Sequence, residues 1–302
     1  MYDLITIGSI SIDMYYRGDS LTQKDGRFNL ALGGKYLVEH FYAGLGGGAA
    51  NVAIGVQEHG YKTAIVGKIG ENQFKDLILK HLKDHNISSA LCDRDKDYIK
   101  ISSILLSPEG ERTIIHYETP HEHIFSCETD LKKIEESKIV YLSNLWRVPL
   151  DERKRLLSFA QSKNILTIMN LGIADCRRSL VQIEQLLFHT DILILNTHEF
   201  AEMIKVPFQK INFRDTIVHL FAPLKSLIVI VTDGKNGAFA YKNNKVIHEP
   251  AHEVKKIVDT TGAGDAFSAG FIAGYLEKST IEYALHLGSK HGAKIIQKIG
   301  AN

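Results

Sequence analysis

The stretch of the chain richest in chemistry is Asp259-Thr260-Thr261-Gly262-Ala263-Gly264-Asp265-Ala266-Phe267, which leads into an apolar helix pattern from Ala266 to Leu276. Gly262 and Gly264 let the backbone turn tightly and approach a ligand with no Cβ in the way. A helix start offers unpaired N–H groups and the positive end of the helix dipole, a setting that attracts anionic oxygens such as those of phosphate. Asp265 falls in the first turn, where a carboxylate serves either as an N-terminal cap or as a proton acceptor. The Gly-Ala-Gly before it favours the acceptor role, because an anion cradle needs bare backbone and a cap does not. No GxxxxGK[ST] loop exists, since Gly67-Lys68 is followed by Ile69. Phosphate handled here is not held by a P-loop.

Three further segments stand in order before this turn. The first is Gly46-Gly47-Gly48-Ala49-Ala50-Asn51-Val52-Ala53, followed by Gly60 and by Val66-Gly67-Lys68-Ile69-Gly70. The second is Asn196-Thr197-His198-Glu199, whose spacing also suits a capping box. The third is Val231-Thr232-Asp233-Gly234-Lys235-Asn236-Gly237, a glycine turn after a strand pattern. Together the four segments resemble the signatures of the PfkB, or ribokinase-like, carbohydrate kinase family, from Asp13 to near the C-terminus.

The resemblance implies a three-layer α/β/α ribokinase-like fold with a mostly parallel central sheet and a small β-sheet lid. It implies one domain over residues 1–302, with lid segments about 12–45 and 97–119. The activity implied is ATP-dependent phosphorylation of a hydroxyl, a primary alcohol, on a sugar-like molecule. Asp265 would be the base, and the backbone of Gly262, Ala263 and Gly264 the anion hole. Substrate contacts would come from Asp13, Gly46, Gly47 and Asn51, with Asn144 and Arg112 as further contacts. An exposed hairpin arginine is the plainer reading of Arg112. Asn196, Thr232, Gly234 and Gly237 would face the nucleotide, and Glu199 would organise Mg2+ through water. Asp259 and Thr261 match positions that in several relatives help hold K+. The lid sheet of many relatives forms a homodimer contact.

The chain also departs from ribokinases proper. Gly48 stands where they carry a lysine, and Leu142-Ser143-Asn144-Leu145-Trp146 lacks their sugar-binding glutamate. The acceptor stays open among fructose, a keto-deoxy sugar acid and a nucleoside. Gly44-Leu45-Gly46-Gly47-Gly48-Ala49 fits a dinucleotide fingerprint, but no ribose-binding acid follows at a second strand end. His121-Glu122-His123 lacks a third ligand in register and is read as a solvated loop. A non-catalytic sugar- or nucleotide-binding relative would be expected to lose Asp265 or a glycine of the anion hole, and both are intact.

The elements that must position these residues alternate along the chain. Leu4 to Gly8, Thr63 to Gly67, Ile139 to Leu142, Leu166 to Met169, Ile192 to Leu195 and Leu227 to Val231 read as buried strands. Asn51–His59, Phe74–His85, Asp151–Lys163, Arg178–Phe188 and His198–Ile204 read as helices between them. Tyr98–Leu106 and Arg112–Glu118 form a hairpin pattern, either a lid or a surface ornament. Residues from about 12 to 42 read as irregular and could join that hairpin in a second sheet. The chain has 302 residues, 44% apolar and 24% charged, with a formal charge of +1. That balance excludes a strongly basic nucleic-acid or membrane-surface binder. Three scattered cysteines, an N-terminus unlike a secretion signal and no long apolar run point to a reduced, cytoplasmic setting.

Overall fold

The computed structural model describes residues 1–107, 111–120, 123–124, 128–145, 147–215 and 227–301. The chain opens with β1 (Tyr2–Ile7) and β2 (Ser11–Arg17), passes through β3 (Gln23–Lys24) and β4 (Arg27–Phe28), and returns along β5 (His40–Gly46) to α1 (Gly48–Glu58). Next come β6 (Thr63–Val66), β7 (Lys68–Gly70), α2 (Lys75–Asp84) and β8 (Asp93–Asp95), then β9 (Lys100–Leu106) and β10 (Arg112–Glu118). The alternation continues with β11 (Ser137–Leu142), α3 (Leu150–Ser162), β12 (Leu166–Asn170), α4 (Ile173–Cys176) and α5 (Leu180–Leu187). It runs on through β13 (Ile192–Asn196), α6 (Thr197–Ile204) and β14 (Ile228–Thr232) to β15 (Ala238–Lys242) and β16 (Lys245–Glu249). Helices α7 (Ala263–Lys278) and α8 (Ile281–Ile295) close the chain.

The main sheet has the order β16-β15-β14-β13-β12-β11-β1-β6. All pairs from β6 to β14 are parallel, and both faces are covered. Consecutive strand residues point to opposite faces, so a two-faced core needs apolar residues at every position. Leu4, Ile139 and Tyr141 pack with Val52, Phe267 and Phe271 on one face. Their neighbours Ile5, Val140 and Leu142 pack with Leu156, Ile183 and Phe200 on the other. The edge hairpin of β15 and β16 is antiparallel and was not among the strands expected. Its turn residues Asn243 and Asn244 adopt φ of 49° and 61°, which suits a two-residue hairpin turn.

Helix α7 is buried from Ala266 to Gly274, so it shows no polar stripe and lies at the centre of its layer. Helix α8, also not expected, packs directly along it. A Cβ on Gly270 would lie 2.5 Å from the Leu287 carbonyl oxygen, and so a side chain there would force the helices apart. Helix α5 starts later than its apolar pattern suggested because Ser179 and Gln182 close a capping box around its first turn.

On the opposite layer Arg153 and Asp175 form a fully buried fork, Nη1–Oδ2 at 2.7 Å and Nη2–Oδ1 at 3.0 Å. Arg178 Nε donates to the same carboxylate at 3.0 Å. Removing one partner strands a charge away from water. Asp175→Ala should therefore destabilise the fold by roughly 3 kcal/mol, read from urea unfolding, with no change in active-site chemistry.

The second sheet has the order β10-β9-β2-β5. Its hairpin pairs as expected, with Arg112 opposite Leu106 and Glu118 opposite Lys100, while the tip at 108–110 lies outside the described residues. The segment read as irregular supplies the other two strands, β2 and β5. Glycines and polar residues hid these strands, although β2 runs beside β9 from Ile12 to Tyr16. Among the described residues no helix is long and apolar enough to cross a membrane.

Candidate active site

The turn before α7 is fixed by its own covalent geometry. Gly262 has φ of +74°, and a Cβ there would sit 2.2 Å from the Ala301 Cβ, so only glycine fits. Helix α7 then begins at Ala263, which puts Gly264 and Asp265 in its first turn, where backbone N–H groups have no intrahelical acceptor. A Cβ built on Gly264 meets nothing within 4 Å, so the backbone there faces open space. Asp265 makes no capping bond. Its Oδ2 instead accepts from Asn51 Nδ2 at 2.8 Å. Burial raises the Asp265 carboxyl pKa most, the Asn51 bond lowers it, and the nearby charge of Asp13 raises it again.

Two cavities meet at this turn. The smaller, about 440 Å³, is lined by Asp265, Gly48, Ser143, Asn144 and Asn170 from the main body. Lys100, His116 and Glu118 of the second sheet also line it, with Arg147 from the loop after β11. The larger, about 670 Å³, is lined by Gly264 and Ala263, by Thr232, Gly234 and Gly237 after β14, and by Ile257, Phe267 and Ile296. Asp265 thus faces one cavity while its neighbour Gly264 faces the other.

Beside the smaller cavity Asp13 is 8% exposed, and its Oδ1 accepts from Ser11 Oγ at 3.1 Å. Burial raises its carboxyl pKa, opposed by hydrogen bonds from Ser102 and Ser11. Gly46 lies opposite Ser11 on β5, and a Cβ on it would be 2.1 Å from Asp13 Oδ2. Gly47 has φ of +96° and would meet the Ser9 carbonyl oxygen at 2.4 Å. Asp13, Gly46, Gly47 and Asn51 line neither cavity themselves; Asn51 reaches the site through Asp265.

The remaining residues singled out in the sequence occupy varied positions. Asn196 and Glu199 form a reciprocal capping box on α6, each backbone N–H bound to the other's side chain at 2.9 Å. The Glu199 carboxyl is nonetheless pushed up to about 7, mainly by burial, with the charge of Asp265 adding to it. A neighbouring cation would favour its ionised form, although Asn196 and Glu199 line neither cavity. Asp259 is fully buried, with Oδ1 held by the Thr261 amide at 2.8 Å and hydroxyl at 2.6 Å, and Oδ2 by the Gly300 amide at 3.1 Å. Arg112 lines neither cavity and instead donates to the Thr260 hydroxyl, tying β10 to the loop before α7. His123 bonds Glu152 Oε2 at 3.0 Å, while His121, Glu122, Trp146 and Cys127 lie outside the described residues.

Sequence reading missed the polar set from the second sheet. Lys100 Nζ lies 2.9 Å from Glu118 Oε1, and Ser102 Oγ 3.2 Å from His116 Nδ1. The usable signal was the period of two: Lys100 and Ser102 share a face of β9, and His116 and Glu118 the matching face of β10. Ser143 was quoted only as part of a divergent segment, yet its Oγ would lie 2.5 Å from a Cβ on Gly48.

The family model for pfkB family carbohydrate kinases matches residues 1–302. The chain belongs to that family. Among this kinase's relatives, an uncharacterized sugar kinase of Archaeoglobus fulgidus is 26% identical, covering 82% of this chain and 96% of its own. The ATP-dependent 6-phosphofructokinase of Thermoanaerobacterium thermosaccharolyticum is 25% identical, covering 99% of this chain and 89% of its own. The solved ribokinase of Arabidopsis thaliana, in complex with ribose and ATP, superposes with a TM-score of 0.81 at 22% identity, over 99% of this chain and 94% of that one. At that identity the likeness speaks for the fold. This carbohydrate kinase thus carries the ribokinase-like architecture of a mostly parallel sheet between helix layers and a small separate sheet.

Proposed function

We propose that this kinase transfers the terminal phosphoryl group of ATP to a primary hydroxyl of a small acidic sugar, with Asp265 as the base. The observation that carries the reading is that adjacent residues, Gly264 and Asp265, face two different cavities. The larger, with an apolar wall at Ile257, Phe267 and Ile296 and small residues at Gly234 and Gly237, suits a nucleotide. The smaller suits a polyol. In the transfer the acceptor hydroxyl gives its proton to the Asp265 carboxylate as its oxygen bonds the terminal phosphorus. The bond from phosphorus to the bridging oxygen breaks, and ADP leaves with that electron pair. Amide groups of Gly264 and Asp265 stabilise the charge spread over the phosphoryl oxygens. Glu199 and Asn196 would hold Mg2+ through water, supplying charge neutralisation beside the phosphates. Asp259 and Thr261 satisfy each other and Gly300, and no step is assigned to K+.

Lys100 and Arg147 line the acceptor cavity together with Asn144 and Asn170. The amides suit hydroxyls and Arg147 suits a carboxylate or phosphate on the acceptor, while Lys100 is paired with Glu118 in the same wall. The name of the related 6-phosphofructokinase agrees with an anionic acceptor. A nucleoside base would require apolar or aromatic surface, and among the described lining residues Leu145, Val148 and the His116 ring offer what there is. The test is acceptor-dependent ADP release over neutral sugars, sugar acids, sugar phosphates and nucleosides. An acidic sugar should give the highest kcat/KM; a nucleoside in first place, or no turnover with any acceptor, would overturn the proposal.

The second sheet acts here as a lid over residues about 12–45 and 97–119 of a single domain spanning 1–302. Support comes from Arg112 touching Thr260 and from Lys100, His116 and Glu118 facing the cavity. Closure would keep water from competing for the phosphoryl group. The outer surface of the sheet exposes Phe41 (60%), Ile115 (62%) and Tyr117 (55%), an apolar patch of the kind that marks a contact between copies of the chain. Sedimentation should show a dimer that Ile115→Lys dissociates.

The raised Asp265 pKa sets the pH response. Catalysis needs the carboxylate, so kcat/KM should fall on the acid side at a pH above the ordinary carboxylate range. The Asn51 side-chain bond favours the ionised form. Asn51→Ala should therefore move the acid limb to higher pH, measured from the pH profile of kcat/KM. A limb that stays in place would separate Asn51 from the titration.

A further inference from the structure

A cluster outside this machinery stands at the junction of β16 and α8. Glu249 ends β16, His252 follows in the loop, and His286 projects from α8. Glu249 Oε1 lies 2.9 Å from His286 Nδ1 and 3.9 Å from His252 Nε2. One ligand atom from each residue falls within 4.8 Å of the others. The two imidazoles meet edge to face with centroids 4.9 Å apart. His252 Nε2 is buried and has no hydrogen-bond partner among the described residues, an arrangement that costs free energy if left so. Helix α8 is held against the same loop by Ser289, whose Oγ donates to the Pro250 carbonyl oxygen at 3.2 Å.

We propose that Glu249, His252 and His286 bind a zinc-class divalent cation, with a fourth position open to water. Two imidazoles and one carboxylate form a borderline-soft donor set that selects zinc, cobalt or nickel over magnesium and calcium. An ion among them accepts the unused lone pair of the buried His252 nitrogen and replaces the lone Glu249–His286 bond with three. The inward move required is small, because ligand atoms about 2.0–2.2 Å from one ion lie some 3–3.5 Å apart. The site is distinct from the residues assigned to Mg2+, which are oxygen donors at the start of α6. It is also built from three points of the fold, so occupancy would pin β16, the loop and α8 together. His252 lines the larger cavity as well. If that cavity is the nucleotide site, as the proposed function holds, the ion stiffens one of its walls.

The test uses the full-length protein, stripped with chelator and titrated with Zn2+ or Co2+ without nucleotide or acceptor. One equivalent should bind per chain, and Co2+ should give the intense visible absorption of a low-coordinate site. Both signals should be lost in His252→Ala and in His286→Ala and kept in His59→Ala, which removes a histidine elsewhere. His286 is half exposed on α8, so its variant carries the test even if His252→Ala does not fold. Absence of the bound equivalent in the wild type, or its survival in the folded His286→Ala variant, overturns the proposal. Neither outcome bears on acceptor phosphorylation, which is read separately by ADP release.

Discussion

Asp265→Asn should leave a folded, ATP-binding protein whose turnover is about 100- to 10,000-fold lower, the loss expected when a positioned general base is removed. Asparagine has the same shape, and its side-chain oxygen can still accept from Asn51 Nδ2, the bond that orients Asp265 at 2.8 Å. What it cannot do is take the acceptor's proton. The substitution should also be mildly stabilising at neutral pH. Folding raises the Asp265 pKa, so the ionised form is disfavoured in the folded state once the pH exceeds that of an exposed carboxylate. Asparagine carries no such charge. Thermal melting, nucleotide affinity and ADP release together check the claim. Near-normal turnover, or loss of folding, would count against Asp265 as the base.

Gly264→Val should separate catalysis from stability even more cleanly. A Cβ at Gly264 has nothing within 4 Å, and the residue sits in a regular helical turn, so the fold can accept the larger side chain. Valine is no worse than glycine in a helix, and the melting temperature should hold or rise slightly. The added methyls, however, would occupy the space in front of the free amide groups. Loss of such donors costs about 100- to 1,000-fold in kcat, and the nucleotide KM should rise as well. Gly262 gives the opposite result. Its φ of +74° and the 2.2 Å approach to Ala301 mean that Gly262→Ala strains the turn itself and lowers the melting temperature. A Gly264→Val enzyme with full activity would show that the α7 N-terminus does not hold phosphate.

The contrast between these glycines shows what the sequence could and could not convey. Spacing placed Gly262, Gly264 and Asp265 at a helix start, and the six parallel strands read correctly because a two-faced core demands unbroken apolar runs. Strands β2 and β5 were obscured because their pairings, β2 with β9 and β5 with β2, are non-local, and no short window contains them. Helix α7 carries its apolar residues all around, so its partner α8 could not be inferred from a stripe. For the site, Asp265 was legible, whereas Lys100, His116 and Glu118 were not. Their side chains acquire meaning only when β9 and β10 are set side by side over the cavity. The Asn196–Glu199 pair was legible from its spacing. Its capping box is the part the geometry bears out.

The most direct measurement is a crystal structure with an unreactive ATP analogue, Mg2+ and the best acceptor from the substrate panel. The account predicts triphosphate against the α7 N-terminus in the larger cavity, with its terminal group at the Gly264 and Asp265 amides. It also predicts an acceptor hydroxyl within hydrogen-bond reach of the Asp265 carboxylate, on the side of Ser143 and Asn144. A nucleotide bound anywhere else, or an acceptor whose hydroxyls all point away from Asp265, would contradict it.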